Sequence, residues 1–260
     1  MFEPIKKFRQ QMDSGDICLG VSITASDPSI TEALGERVDF FWMDLEHTPM
    51  SLESLQAHFI AARATSAPAL VRVPGSDYKI IKRVLDTGAQ GVIVPQFNSA
   101  EEAEEVVAAS RYAPLGRRGC GPRRAANYGS TPEEEYFAYA RDDLLVAVQV
   151  ESIEAVKNLD SILKVSGIDS IVVGPYDLSM TMGKPGQFTD PEVAGTIESV
   201  VTRAREAGFY VGMGMGVDEE FALRAAAMGV QWIQCGVEMG FLTRFVDELF
   251  GDIRKRWQAK

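Results

Sequence analysis

The sequence predicts a protein of the α/β class, a single closed (β/α)8 (TIM) barrel that takes in residues 1–260 as one domain. Three observations predict it. Eight short apolar, β-branched or glycine-bearing runs recur along the chain, helical segments alternate with them without exception, and the length of 260 residues matches the roughly 250 that such a barrel needs. The runs lie at 17–24, 39–46, 68–74, 91–96, 144–151, 169–175, 209–215 and 231–237. Continuous apolar runs this short suit strands covered on both faces, as in parallel sheets. Eight of them alternating with helices close into a barrel more readily than they spread into an open doubly wound sheet.

In chain order, residues 1–16 read as an amphipathic helix without the apolar core of a secretory signal. Helical segments follow at 51–65, 77–87, 99–110, 152–165, 190–207 and 218–228, with a short helical patch at 132–141. Ser51 (with Ser54 nearby), Ser99, Ser152 and Asp218 stand where helix caps belong. Glycines in DTGAQG, REAGFY and AAMGVQ sit just past a helix and just before a strand, the expected stop. The one long irregular stretch is 112–131, and loops of that length inside a domain are usually functional or mobile. In the last segment, 240–257, Phe241, Phe245, Leu249, Ile253 and Trp257 recur near helical spacing. That face either folds back on its own barrel or packs on a second copy.

Composition narrows the function. The net charge of −11 argues against nucleic acid and against an anionic membrane surface, and no apolar run approaches the roughly 20 residues of a membrane span. Cys18, Cys120 and Cys235 are odd in number and lack metal-ligand spacing, so inert thiols in a reducing cytoplasm are expected. The run GMGMG at 212–216 lacks the spacing of a phosphate loop.

Chemistry on a barrel sits at the C-terminal ends of strands and in the loops that follow. The second strand ends in Asp44-Leu45-Glu46-His47, the third carries Arg72, the fifth ends in Gln149-Val150-Glu151 and the sixth in Gly174-Pro175-Tyr176-Asp177. Glu151 and Asp177 thus end neighbouring strands. Two bare carboxylates there would repel, and an oxygen-seeking divalent ion such as Mg²⁺ or Mn²⁺ would relieve them. The alternative is that each caps the helix after it. His47 follows Asp44 closely enough for the carboxylate to orient its imidazole; the alternative is an exposed loop histidine. His58, inside a helix, reads as structural. An inward Arg72 calls for a carboxylate, from a substrate or from inside the chain. None of the eight runs holds a lysine, which leaves no Schiff-base chemistry in the barrel.

The segments WMDLEHTP, ALVRVP, KRVLDTGAQGVIVP, RYAPLGRRGCG, VQVES and VGPYDLSMTMGKPGQ occur in this order between residues 42 and 187, within a likeness that runs over residues 15–240. They resemble the HpcH/HpaI family of class II pyruvate aldolases. The resemblance implies a TIM barrel, a hexamer with the C-terminal helix exchanged between subunits, and reversible cleavage of a 4-hydroxy-2-oxo acid to pyruvate and an aldehyde. It implies that Glu151 and Asp177 hold a divalent metal (Mg²⁺, Mn²⁺ or Co²⁺) and that His47 is the base. Asp86 would raise the basicity of that histidine, within the chain or across a subunit interface, and Arg72 would stabilise the enolate oxygen. Gln149 and the backbone amides of Tyr176 and Asp177 would hold pyruvate. Tyr176 stands where a smaller residue is usual in the family, which bears on the aldehyde pocket. The four arginines of 117–124 would meet an acidic acceptor or, preferably, a neighbouring subunit. Two other readings compete. One is a related lyase, a decarboxylase or a citramalyl-type thioester lyase, the latter needing a basic groove that only those arginines could line. The other is a non-catalytic oligomeric metabolite-binding protein, which a missing Glu151, Asp177 or Arg72 would have suggested.

Overall fold

The structure, a computed structural model, describes residues 1–259. Helix α1 (Glu3–Ser14) leads into eight strands: β1 (Cys18–Ile23), β2 (Phe40–Asp44), β3 (Ala69–Arg72), β4 (Gly91–Val94), β5 (Leu145–Val150), β6 (Ser170–Val173), β7 (Tyr210–Met215) and β8 (Trp232–Val237). They pair in sequence order, all parallel, and β8 closes on β1. Each lies inside the run expected for it. Between them run α2 (Ser29–Leu34), α3 (Leu52–Ala62), α4 (Tyr78–Thr87), α5 (Ala100–Ser110), α6 (Glu133–Asp142), α7 (Ile153–Lys157), α8 (Leu159–Ile162), α9 (Pro175–Thr181), α10 (Pro191–Glu206) and α11 (Glu219–Met228). The chain continues into α12 (Glu238–Gln258).

The helix starts follow their caps. Ser51, Ser99, Ser152 and Asp218 each accept a backbone N–H three residues on. Gly88 ends α4 with φ 111° and Gly229 ends α11 with φ 107°, a left-handed turn that a side chain would resist. Three local features depart from the expected pattern. The helix expected over 152–165 breaks at Asn158, whose side-chain amide donates to the Asn98 carbonyl at 2.7 Å and draws the chain out of the helix. The helix expected over 51–65 stops at Ala62. Short helix α2 stands where no helix was anticipated, and α9 starts at Pro175, so Asp177 lies inside its first turn and does not cap it.

Aromatic rings fill the barrel. Phe8 of α1 reaches into its N-terminal end and meets Phe40 edge-on at 5.3 Å; Phe40 meets Trp232 at 5.3 Å, and Trp232 lies 5.8 Å from Trp42. The buried Trp232 indole donates to Ser170 Oγ at 3.0 Å, which avoids the cost of an unpaired polar group. Such rings fit because Gly20 and Gly212 face them: a β-carbon on either would overlap the Phe40 or the Trp232 ring. Below the rings, Asp169 accepts Arg9 at 2.8 Å and Arg111 at 2.7 Å. These packed layers place the strand C-termini, and the groups on them, at one open face.

Helix α12 leaves Phe241, Leu242, Phe245, Leu249, Phe250 and Ile253 exposed, so this apolar face does not fold back on its own barrel. No helix among the described residues is long and apolar enough to cross a membrane.

His58 of α3 is fully buried, with Nδ1 2.7 Å from Thr31 Oγ1 and Nε2 2.9 Å from the Ala25 carbonyl. Burial holds its pKa below the ordinary value, against the opposing pull of the Ala25 carbonyl and of Glu238 and Asp27. A depressed imidazole stabilises the fold fully above the unfolded value of about 6.5 and loses that contribution as pH falls through the folded value. The stability gap between wild type and His58→Gln, read by chemical denaturation, is therefore expected to be widest above pH 6.5 and to narrow on acidification. A gap that widens toward pH 5 would show the imidazole to be charged in the fold.

Candidate active site

Strands β2 and β3 end side by side, with Asp44 in register with Arg72. Arg72 donates to both oxygens of Asp44, Nε to Oδ1 at 3.1 Å and Nη2 to Oδ2 at 2.7 Å. Its Nη1 lies 3.2 Å from Glu46 Oε2, and its guanidinium sits over the Trp42 ring at 5.4 Å. A planar fork gripped in this bidentate way is held in orientation as well as paired. Arg72 thus meets the internal acidic partner that its position demanded.

Asp44 behaves differently from its expected part. Its Oδ1 accepts the backbone N–H of Glu46 at 3.0 Å and of His47 at 3.4 Å, so it shapes the turn and holds Arg72. The His47 ring approaches another group. Its side chain is 60 % exposed, and Nε2 lies 3.5 Å from Glu46 Oε2. Glu46 is a residue that the sequence reading passed over, although a strand's two-residue period puts 44 and 46 on one face. Burial pushes the Glu46 carboxyl up, while Arg72 and His47 pull it down.

Across the mouth, Glu151 follows β5 directly and is buried. Its Oε1 accepts the Gln96 backbone N–H at 2.6 Å and its Oε2 accepts the Gln149 side-chain amide. Ser152, not Glu151, caps α7. Burial raises the Glu151 carboxyl to about 7; Asp177 and Glu46 add to the rise, and the donors from Gln96 and Gln149 oppose it. Asp177 lies in the first turn of α9, exposed, and its carboxylate meets no donor among the described residues. The backbone N–H groups of Tyr176 and Asp177 belong to that same first turn, where a helix leaves its donors unpaired. The Tyr176 ring is 62 % exposed and packs edge-on against Phe188 at 5.9 Å.

An unsatisfied acceptor marks the space beside Glu151 as suited to another group. Gln149 Oε1 is buried without a hydrogen-bond partner. Gly174 lets both side chains pack close against its backbone, since a β-carbon there would lie 2.8 Å from Glu151 Oε2 and 2.9 Å from Gln149 Nε2. No cluster of three or more His, Cys, Asp or Glu side chains able to hold a metal occurs among the described residues. A cation here would therefore take two carboxylates and fill its shell with other oxygens.

Asp86 is not part of this assembly within one chain. Helix α4 runs away from the mouth, so Asp86, near its end, lies at the opposite face of the barrel. There it binds Lys82 at 2.7 Å and Arg118 at 2.9 Å. The 117–124 arginines also divide. Arg118 is buried on Asp86, and Arg124 is buried with Nη1 donating to the Thr87 carbonyl at 3.0 Å. Arg117 pairs with Glu105 at the surface. Two of the four are thus spent inside the chain, which weakens a basic groove for a thioester's phosphates.

Comparison with known proteins agrees with this geometry. The family model described as HpcH/HpaI aldolase/citrate lyase matches residues 21–244. A hydroxypyruvate/pyruvate aldolase from Pseudomonas aeruginosa is 36% identical over 251 residues, covering 95% of this chain and 92% of the relative. A 2-keto-3-deoxy-L-rhamnonate aldolase from Salmonella gallinarum is 36% identical over 243 residues, covering 92% and 90%. The crystal structure of an HpcH/HpaI aldolase from Desulfitobacterium hafniense superposes with a TM-score of 0.89 at 28% identity, covering 95% of this chain and 96% of that one. The chain belongs to the HpcH/HpaI aldolase/citrate lyase family and is an enzyme of its aldolase type.

Proposed function

We propose that the chain is a divalent-metal-dependent class II aldolase that reversibly cleaves a 4-hydroxy-2-oxo acid into pyruvate and an aldehyde. The observation that carries this reading is the buried Glu151 carboxylate. It feels the charge of Asp177 and stands beside an unpartnered Gln149 oxygen. A carboxyl held up to about 7 by burial and by like charges favours a nearby cation. The donors are oxygens, which suits Mg²⁺, Mn²⁺ or Co²⁺ held by Glu151 and Asp177. A bound divalent ion would act as Lewis acid and template for the 2-oxo acid.

The remaining work falls to the chain's own side chains. Gln149 and the first-turn amides of Tyr176 and Asp177 hold the pyruvate half. His47, exposed at the mouth and edged by Glu46, takes the proton of the 4-hydroxyl. The C4–O bond then becomes a carbonyl, the C3–C4 bond breaks, and its electron pair passes to the pyruvate enolate. Arg72, fixed by Asp44, neutralises the enolate oxygen as charge develops, the kind of preorganised contact that favours a transition state over a ground state. Protonation at C3 releases pyruvate. No strand carries a lysine, so no imine is formed. Asp86 reaches His47 only if a second copy brings it there, because its own His47 lies across the barrel. The three free cysteines suit a reducing cytoplasm.

The test avoids the unidentified aldehyde. Wild type with Mg²⁺ is expected to exchange the methyl protons of pyruvate for solvent deuterium faster than buffer with the same ion, and chelator is expected to stop it. Removing a general base costs about 10²–10⁴-fold, so His47→Ala is expected to slow exchange by that order. Exchange no faster than the control would overturn the reading. So would a covalent adduct after borohydride treatment with pyruvate.

The exposed apolar face of α12 supports assembly into a homo-oligomer, a hexamer with exchanged C-terminal helices. Burying large apolar side chains stabilises by about 1.5–3 kcal/mol each, and Met239 and Val246 stand open on this helix beside the six named above. Light scattering is expected to show a species several times the chain mass of 28.5 kDa; a monodisperse monomer at micromolar concentration would refute assembly.

A further inference from the structure

Gln96 lies just past β4, at the end of the 91–96 run and one residue beyond the family-like segment KRVLDTGAQGVIVP, and it touches the site twice. Its backbone N–H donates to Glu151 Oε1 at 2.6 Å, and its side-chain amide donates to Glu46 Oε1 at 2.9 Å. Its φ is 57°, the left-handed region that side-chain-bearing residues rarely adopt and that tends to persist where function over-determines it. Of the three non-glycine residues with positive φ among those described, Asn127 and Tyr128 sit in the long surface loop, and Gln96 alone is at the site. Gln96 is itself exposed, so it contributes little to the core. Its contacts are polar and both point at carboxylates.

We propose that Gln96 is a positioning residue with two separable parts, a backbone amide that fixes Glu151 and a side-chain amide that fixes Glu46. The left-handed turn after Pro95 aims the N–H at Glu151. The side chain then bridges back to Glu46, whose other oxygen faces Arg72 Nη1 at 3.2 Å and His47 Nε2 at 3.5 Å. One residue thereby sets the spacing between the metal-side carboxylate and the pair that handles proton and enolate charge. Groups that orient a ligand or a base, without touching substrate, commonly alter affinity or rate by about 10–100-fold. The inference rests on the reading of Glu151 as a metal ligand.

Two substitutions separate the parts. Gln96→Gly keeps the N–H and adopts a left-handed φ freely, so only the side-chain bridge is lost. Gln96→Val keeps the N–H but resists that φ, so both contacts are lost. Mn²⁺ affinity is read by electron paramagnetic resonance, and pyruvate methyl exchange at saturating Mg²⁺ by mass spectrometry. Circular dichroism and unfolding temperature confirm the fold. The glycine variant is expected to bind Mn²⁺ within about twofold of wild type yet to lose about tenfold in maximal exchange rate, with the KM for pyruvate little changed. The valine variant is expected to lose about tenfold in Mn²⁺ affinity as well. Wild-type exchange in the glycine variant overturns the side-chain part, and wild-type Mn²⁺ affinity in the valine variant overturns the backbone part. A wild type that binds no Mn²⁺ overturns the metal reading itself, and this inference with it.

Discussion

Burial of Glu151 sets the terms for everything at the mouth of the barrel. The charges of Asp177 and Glu46 push its carboxyl further up, and that of Asp44 does the same to Glu46. One guanidinium, that of Arg72, answers this group of four, and it is committed to Asp44 and Glu46. Like charges around a buried carboxylate are costly, and the fold relieves them partially. It supplies the Gln96 and Gln149 donors to Glu151 and leaves Asp177 without one. The surplus negative charge is what makes the face suited to a divalent cation, and through it to an anionic 2-oxo acid on a chain of net charge −11.

The barrel's interior serves this arrangement from beneath. Phe8, Phe40, Trp232 and Trp42 fill the closed end and the middle, and the Trp42 ring gives the Arg72 guanidinium a face to rest on. A long side chain held between an aromatic face and a bidentate carboxylate keeps little freedom, which is the preorganisation that electrostatic catalysis needs. The glycines opposite the rings matter for the same reason. They let large side chains occupy the axis and free the strand ends above for polar groups.

Much of this was legible in the sequence because strand ends are predictable positions. Once eight runs were placed, Glu151, Arg72, Asp44, His47 and the Tyr176–Asp177 pair had to fall at one face. The helix starts were legible from single capping residues for an equally local reason. Glu46 was legible in principle through the two-residue period. The direction of α4 likewise implied that Asp86, one turn before β4, sits at the far face. Gln96 was not legible, because its role depends on a positive φ that nothing in the local sequence requires. Nor was the fate of Arg118 and Arg124, which are taken up by the Asp86 carboxylate and the Thr87 carbonyl, partners 32 and 37 residues away. Three-dimensional pairing of that range leaves no periodic trace. The break at Asn158 has the same origin, a tertiary contact with Asn98.

The central claim is that Glu151 and Asp177 together form one divalent-cation site, and calorimetric titration of Mg²⁺ or Mn²⁺ into the protein tests it most directly. The account predicts one ion per chain for wild type, with binding lost in Glu151→Gln and in Asp177→Asn while both variants unfold within a few degrees of wild type. Full-affinity, one-to-one binding by either folded variant would contradict it.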